Sequence, residues 1–530
     1  MNKDSSAKKI KQLGKGTTSS NKQFPSINNK IESRKRKDLV ISVCGQLGSG
    51  TSTVAKEVER IFTDYRYTPY QIKLSKIIEE NIATNENYKN KAERISKLQE
   101  AGNKLRQDHS ESILTEFAVV KAHYYREGIG TNRDEEDDRF VIIIDSIKHP
   151  SEHELLKLVY GKSFFQIGVL CPEGDRKQRL MNNSEVSPQE ATALIEKDKN
   201  EIDDFGQKTL ESLYKSDFFI YNEKNNLTST RKKLKRFIKL VMSNKTNTPT
   251  VDEYAMFLAQ GSSLRSGCLS RQVGAVIIDE EGEIISTGRN DVPKYRGGLY
   301  SEDDHGNDNR CLHRYSSECK NSEYKEKIKN EISLSVKTET NKLCKNSGLS
   351  ELTQKQIEQT AKTIIDNISS IDKIKNLTEF SRSIHAEMDA ITAAARKGKR
   401  GLKNARLFCT TYPCHNCARH IVASGIKSVH YIEPYEKSLA LKLHDDSIEF
   451  DSDYSNKGDK LKIIPFEGVS PNRYLELFEA NGRKDNPEHT NQKKEKALPA
   501  ITHLKDNVEF YEQVVLEDMV SKKLIPDPNS

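Results

Sequence analysis

The sequence predicts an α/β protein in two parts: a parallel α/β domain opened by a phosphate-binding loop, then a three-layer α/β/α domain around a metal-ligand pattern. Three observations predict it. Apolar runs bounded by turn residues, "LVISVCG", "RFVIIIDSIKHP" and "FFQIGVLCP", alternate with stretches of helical spacing, as in a parallel sheet with crossover helices. A glycine-rich turn, "VCGQLGSGTST", joins the first run to a helix. Farther on, His-x-Glu and Cys-x-x-Cys stand within a second alternation of strands and helices.

Composition sets the bounds. At 530 residues the chain exceeds one ordinary core and calls for two or three domains. With 35% hydrophobic and 31% charged residues and no tryptophan, it reads as soluble and highly solvated. No apolar run approaches the roughly 20 residues of a membrane-spanning helix. The opening "MNKDSSAKKIKQLGKGTTSSNK" lacks the apolar centre of a secretory signal, which places the protein in the cytoplasm. A net charge of +7 is modest at this length and does not by itself imply nucleic-acid binding. Nine cysteines, an odd number spread over the chain, argue for metal ligation or burial rather than a disulfide scaffold.

In chain order, residues 1–37 are rich in lysine and arginine and almost without apolar periodicity. They predict a disordered basic tail, either a solubilising arm or a contact for RNA or another polyanion. Residues 38–243 form the first domain: strand "LVISVCG", helix "TSTVAKEVERIF", the two further strands named above, and "SDFFIYNEKNNLTSTRKKLKRFIKLV", a strand, a turn and a basic amphipathic helix. "MSNKTNTPT" is a linker. The second domain, residues 250–482, opens with helix "VDEYAMFLAQGSSLRSG" and hairpin "RQVGAVIIDEEGEIISTGRND". A charged, helix-prone insertion occupies about residues 301–380. The alternation resumes with "SRSIHAEMDAITAAARKGK", strand "ARLFCTT", helix "CHNCARHIVASG", strand "KSVHYIE", a helix after Pro434, strand "LKIIPF" and helix "SPNRYLELFEANG". Residues 483–530 are a polar linker and an amphipathic segment, "VEFYEQVVLEDMV".

The glycine-rich turn follows the G-x-x-x-x-G-K-[ST] pattern with one departure. Gly45, Gln46, Leu47, Gly48, Ser49, Gly50, Thr51 and Ser52 fill its positions, and Thr51 stands where the lysine belongs. The glycines free backbone amides to wrap phosphates, Ser52 is placed to hold Mg²⁺, and Asp145 ends a strand as the partner acid does. The missing lysine normally neutralises the β- and γ-phosphates. Its loss predicts binding of a nucleoside triphosphate with Mg²⁺ and without efficient phosphoryl transfer; a loop that binds nothing is the alternative.

In "SRSIHAEMDA" and "TTYPCHNCARH", His385-x-Glu387 precedes Pro413-Cys414-x-x-Cys417, the signature of zinc-dependent deaminases. His385, Cys414 and Cys417 give Zn²⁺ three protein ligands and leave the fourth tetrahedral position for water, as catalytic zinc requires. Zinc lowers the pKa of that water toward ~7. Glu387 is the catalytic group, taking a proton from the water and delivering it to the ring nitrogen and the departing ammonia. Cys414 and Cys417, at i and i+3, share one face of a helix start, where the helix dipole favours thiolates. His415 and Cys409 beside them are spectators.

The segments "SRQVGAVIIDEEG", "STGRND", "HAEMDAI" and "YPCHNCARHIVASGIKSVHYIEPY" resemble the deoxycytidylate deaminase branch of the cytidine deaminase fold. That resemblance implies that Asn290 contacts the sugar and phosphate region of a substrate nucleotide. "VIIIDSIKHP" and "PEGDRKQRL" resemble a nucleotide-kinase family, which makes the first domain P-loop kinase-like. The whole arrangement is similar to bacterial anti-phage dCTP/dCMP deaminases. It implies conversion of deoxycytidine nucleotides to deoxyuridine nucleotides, depletion of dCTP during phage infection, repression by a small regulatory RNA, and a homo-oligomer. The insertion, with Cys311, His313, Cys319 and Cys344, is not part of the minimal deaminase. Its spacing fits no standard zinc knuckle and favours dispersed thiols over a second zinc. The rivals are a deaminase of RNA or single-stranded DNA, a nucleotide-regulated RNA-binding protein, and a true kinase, which Thr51 disfavours.

Overall fold

The computed structural model describes residues 27–527 except 33, 82–87, 131–138, 185, 200–205, 223–225, 243–246, 315–317, 347–350, 372–379, 399–400, 436–437, 451–459, 480–496, 500 and 502–503. Residues 1–26 of the expected tail and most of the expected polar linker lie outside these. Among the described residues no helix is long and apolar enough to cross a membrane.

Two six-stranded sheets carry the chain. In the first, β1 (Leu39–Gly45), β2 (Thr68–Lys73), β3 (Phe140–Ile147), β4 (Phe164–Leu170) and β5 (Phe218–Tyr221) run parallel in the order 2-3-1-4-5. Every residue of β1 and β4 is buried, because crossover helices cover both faces, and that is why these strands read as unbroken apolar runs. The chain departs to either side of β1, so the carboxyl end of β1 is the switch point where open α/β sheets bind ligands. The glycine loop leaves β1 there and enters the helix Thr51–Asp64, with Gly50 as N-cap at φ 94°.

The second sheet contains β6 (Gly274–Ile278), β7 (Ile284–Arg289), β8 (Arg406–Thr411), β9 (Ser428–Glu433), β10 (Ile448–Phe450) and β11 (Leu461–Pro465), in the order 10-11-9-8-6-7. The predicted hairpin is β6–β7; β6 is antiparallel to β8 as well, and the remaining pairs are parallel. Two glycines let helices approach this sheet from opposite sides. A Cβ on Gly274 would stand 1.9 Å from Ala259 O of the helix Val251–Ser263, and one on Gly288 would stand 2.2 Å from Ala386 O of the helix Ala386–Arg396. Gly288 pairs with Ala275, the neighbour of Gly274, so successive residues of β6 face the two layers. The result is the expected three-layer α/β/α arrangement. Within the insertion, the helices Lys320–Asn346 and Glu351–Ser370 pack on each other.

Two segments depart from expectation. After β11 the chain crosses to the first sheet, where β12 (Gly468–Val469) pairs antiparallel with β5. Arg473 then donates to Asp217 Oδ1 (2.9 Å) and Phe164 O (2.7 Å). The segment read as the closing helix of the second domain therefore bridges the two, with Val469 and Leu477 buried in the apolar cluster of the first and Tyr474 stacked on Phe257 of the helix Val251–Ser263 at 4.2 Å. The expected disordered tail also becomes ordered before residue 37. Lys35 bridges to Leu504, Arg34 pairs with Asp506, and buried Arg36 pairs with Asp38. The amphipathic C-terminal segment forms the helix Lys505–Ser521, which packs on the helix Ile113–Gly130 and buries Val508, Leu516 and Met519.

Candidate active site

Local geometry brings two distant stretches together. His385 is the extended N-cap of the helix Ala386–Arg396, and Ile384 N–H donates to Asp291 O (3.0 Å), which fixes the residue before it. Beyond β8, Tyr412 N–H donates to Glu433 O (2.7 Å) and steers the chain toward Pro413. Cys414 then caps the helix His415–Ala423, its Sγ accepting from Cys417 N–H (3.4 Å). Both ligand-bearing segments are thus helix starts, whose positive dipole ends favour anionic side chains.

His385 Nδ1 lies 3.3 Å from Cys414 Sγ and 3.3 Å from Cys417 Sγ, and all three ligand atoms fall within 4.8 Å of one another. Zinc bonds of about 2.0 Å to nitrogen and 2.3 Å to sulfur at tetrahedral angles separate such atoms by roughly 3.5–3.8 Å, so slight relaxation admits the metal. One imidazole and two thiols are also the donor types zinc prefers. The Cys414 thiol is drawn down to about 4 by its hydrogen bond with Cys417 and then by that with His385. Cys417 is raised in return, first through the same bond with Cys414. The hydrogen bond to Cys414 holds His385 up at about 9.

Glu387, in the first turn of its helix, is 4% exposed, and burial pushes its carboxyl up to about 6. It lines, with His385 and Cys414, a cavity of about 250 Å³. Asn290 lies on the same wall, but its amide is engaged with backbone: Oδ1 accepts from Val273 N–H (2.7 Å) and Nδ2 donates to Arg271 O (2.6 Å). Cys409 is fully buried in β8, its thiol raised well above the usual range by burial.

Residues 249–433 match the cytidine and deoxycytidylate deaminase zinc-binding region, a span that contains the whole trio and Glu387. The deoxycytidylate deaminase of Enterobacteria phage T2 is 32% identical over 176 residues, which cover 33% of this chain and 76% of that one. This chain belongs to the deoxycytidylate deaminase family. The Saccharomyces cerevisiae deoxycytidylate deaminase is 27% identical to this family member over 187 residues, 35% of this chain and 39% of that one. Two solved structures resemble parts of it. One, the dCMP deaminase of cyanophage S-TIM5 in complex with dCMP and dUMP, has a TM-score of 0.23 at 16% identity, with 42% of this chain and all of that one covered. The other, a shikimate kinase from Acinetobacter baumannii in complex with shikimate, has a TM-score of 0.22 at 14% identity, with 39% and 96% covered.

Several residues of the deaminase's cavity wall were not predicted. Arg271, Tyr412 and Tyr435 line it, and so do Lys320 and Lys325 of the insertion. Arg271 and Tyr412 lie inside the quoted "SRQVG" and "TTYPC" strings, a usable signal, whereas nothing local marks the insertion as part of the wall. Cys311 and Cys319 also reach the wall, and among the described residues they form no metal-binding group with His313. His313 sits instead with Glu302 and Asp308, carboxylates already engaged by Arg310. The Cys344 side chain lies outside the described residues.

The first sheet of the deaminase carries a larger cavity, about 570 Å³, at the carboxyl end of β1. Gln46, Leu47, Gly48, Gly50, Thr51 and Ser52 line it, while Gly45, Ser49 and Asp145 lie behind this lining. Ser52 Oγ donates to Asp145 Oδ2 (2.7 Å), the hydroxyl–carboxylate pair expected of a Mg²⁺-holding loop.

Proposed function

We propose that the deaminase hydrolyses the exocyclic amine of deoxycytidine nucleotides, dCMP, dCTP or both, to give deoxyuridine nucleotides and ammonia. The single observation that carries this is Glu387, a buried carboxyl that lines one cavity with His385 and Cys414 of the His385–Cys414–Cys417 trio. Zinc bound by the trio supplies the Lewis acid that makes water nucleophilic at neutral pH. Glu387 would move two protons in turn, the first from the attacking water to the pyrimidine ring nitrogen and the second from the resulting hydroxyl to the amine, which leaves as ammonia. Burial suits it to the task, since a carboxyl raised toward neutrality can both accept and return a proton near pH 7. Asn290, its amide oriented by Val273 and Arg271, contacts the sugar and phosphate region.

Ammonia release with dCMP, dCTP, CMP and single-stranded DNA offered separately tests the assignment. Turnover of a deoxycytidine nucleotide is expected, and turnover of single-stranded DNA alone would replace the proposal with a polynucleotide deaminase. Glu387→Ala is expected to lose activity by about 10²–10⁴-fold while keeping its zinc.

At the first sheet, a nucleoside triphosphate with Mg²⁺ held by Ser52 and Asp145 sets the deaminase's activity, without efficient phosphoryl transfer because Thr51 lacks charge. The resemblance of the whole arrangement to bacterial anti-phage dCTP/dCMP deaminases extends the proposal to depletion of dCTP as a cytoplasmic defence against phage, with a small RNA as repressor and a second copy of the chain as partner. Cellular dCTP and dUMP measured with and without Glu387→Ala tests the depletion; equal pools refute it.

A further inference from the structure

The loop at the carboxyl end of β1 lacks its lysine, and Thr51 turns Oγ1 toward Ser146 Oγ (3.1 Å) instead. A cation nevertheless stands at the loop. Lys148, just beyond β3, donates from Nζ to Gly45 O (2.9 Å), the carbonyl that opens the loop, and to Asp198 Oδ1 (2.7 Å), and it lines the cavity. The other carboxylate oxygen, Asp198 Oδ2, accepts from Leu47 N–H of the loop itself (2.6 Å). Asp198 is 1% exposed. A buried carboxylate gripped at once by a loop amide and an ammonium engages the two kinds of group with which such loops grip phosphate.

We propose that Lys148 supplies, from outside the loop, the phosphate-binding charge missing at Thr51, and that Asp198 is an internal competitor which a nucleotide's phosphate displaces. This rests on the proposed binding of a nucleotide by the loop. The other cations lining the cavity are committed elsewhere. Arg94 pairs with Glu79, Arg106 with Glu152, and Arg179 braces the loop by donating to Ser49 O (3.0 Å) and Asn222 O (2.9 Å). An ammonium has three donors; with Gly45 O and Asp198 engaging two, Lys148 keeps one for an anion. A second observation lies deeper in the cavity. Gln99, 5% exposed, sits there with Ile78, Leu98 and Leu114, and its Oε1 meets no donor among the described residues. Gln99 Nε2 donates to Gln207 Oε1 (3.5 Å), and the buried acceptor left on Gln99 suits the ring edge of a nucleobase, so the ligand class is a nucleotide rather than free phosphate.

The test is calorimetric titration of the full-length, zinc-loaded protein with Mg-ATP and with magnesium tripolyphosphate. Lys148→Met is expected to weaken both at least tenfold, Thr51→Lys added to Lys148→Met to recover most of the loss, and Asp198→Asn to tighten tripolyphosphate several-fold. Recovery in the double variant rules out misfolding as the cause. A wild type that binds neither probe overturns the nucleotide assignment and this inference together. A wild type that binds, with Lys148→Met binding equally well, leaves the nucleotide assignment standing and overturns the inference alone. Should Lys148→Met fail to fold, Asp198→Asn decides, and unchanged or weaker tripolyphosphate binding there overturns it.

Discussion

His430 shows how one buried side chain writes acid sensitivity into this protein. It lies in β9, stacked on Phe408 with ring centroids 4.5 Å apart, near Asp252 and Arg406. Burial pushes its imidazole down to about 4, only partly opposed by Asp252. A depressed folded value leaves the full stabilisation present above the unfolded value near 6.5, and it is lost as pH falls through about 4, a change of about 3 kcal/mol. Denaturant unfolding at pH 7.5 and pH 5 should show a smaller acid loss for His430→Phe than for wild type; equal losses would sink the assignment. Two short motifs were legible in the sequence, His385-x-Glu387 and Cys414-x-x-Cys417, but only the fold brings the histidine within 3.3 Å of both thiols. Lys148 was not legible, because its partners Gly45 and Asp198 become neighbours only through the sheet. Asn290 was singled out by resemblance alone.

Among the elements, the helix Ala386–Arg396 owes its place to a missing side chain. A Cβ on Gly288 would meet Ala386 O at 2.2 Å and Ala390 N at 2.4 Å, both backbone atoms that cannot swing aside. Gly288→Ala should therefore cost about 1–3 kcal/mol and lower zinc affinity by moving His385. Gly401→Ala, whose Cβ meets nothing within 4 Å, serves as the control and should stay within about 0.5 kcal/mol. Zinc competition titrations and melts of both variants would check this; full zinc affinity in Gly288→Ala contradicts it. The junction of N- and C-terminal segments gives a second prediction. Burial raises the Asp38 carboxyl, but Arg36 and Arg126 outweigh that and hold it below the usual range. Deleting residues 1–26 should leave stability unchanged, whereas deleting 1–37 removes Arg36 and should destabilise by about 1–3 kcal/mol. Equal melting temperatures for the two truncations would refute the distinction. The pattern announced the central strands β1, β3 and β4 because both their faces are buried. It did not announce β2, "TPYQIK", an edge strand interrupted by Pro69 and Gln71 and mostly half-buried, nor β12, too short for any periodicity.

Across the whole molecule the two sheets share an apolar core. Phe219 and Tyr221 of the first sheet lie in one cluster with Val276, Ile278 and Phe408 of the second, and Phe466 meets Phe219 edge-on at 6.2 Å. Heating should accordingly give a single transition in which zinc release and loss of sheet signal coincide; two separated transitions would contradict the shared core. The same contact offers a physical route between the two cavities. Asn222 donates to Ser49 O of the loop (2.7 Å) and follows Tyr221; from the shared cluster Phe466 N–H donates to Tyr431 O (2.7 Å), and Tyr431 packs edge-on against Tyr412 of the deaminase wall at 5.0 Å. A side chain at Gly50 would strike Asn222 Nδ2 at 2.5 Å, so Gly50→Leu should change how deaminase rate responds to added nucleotide while zinc content holds. Superimposable response curves would rule the route out. β12 has one further consequence, for any attempt to separate the halves. Among the described residues, Gly468 and Val469 pair along the outer rim of β5, flanked by Ser470 N–H donating to Asp217 O (2.8 Å) and by Tyr221 N–H donating to Glu467 Oε1 (3.1 Å). Cut from the rest of the chain, the first half would present that rim as unpaired backbone amides and carbonyls, a template on which copies assemble edge to edge. A two-residue strand supplied by the deaminase half thus acts as a built-in guard against aggregation.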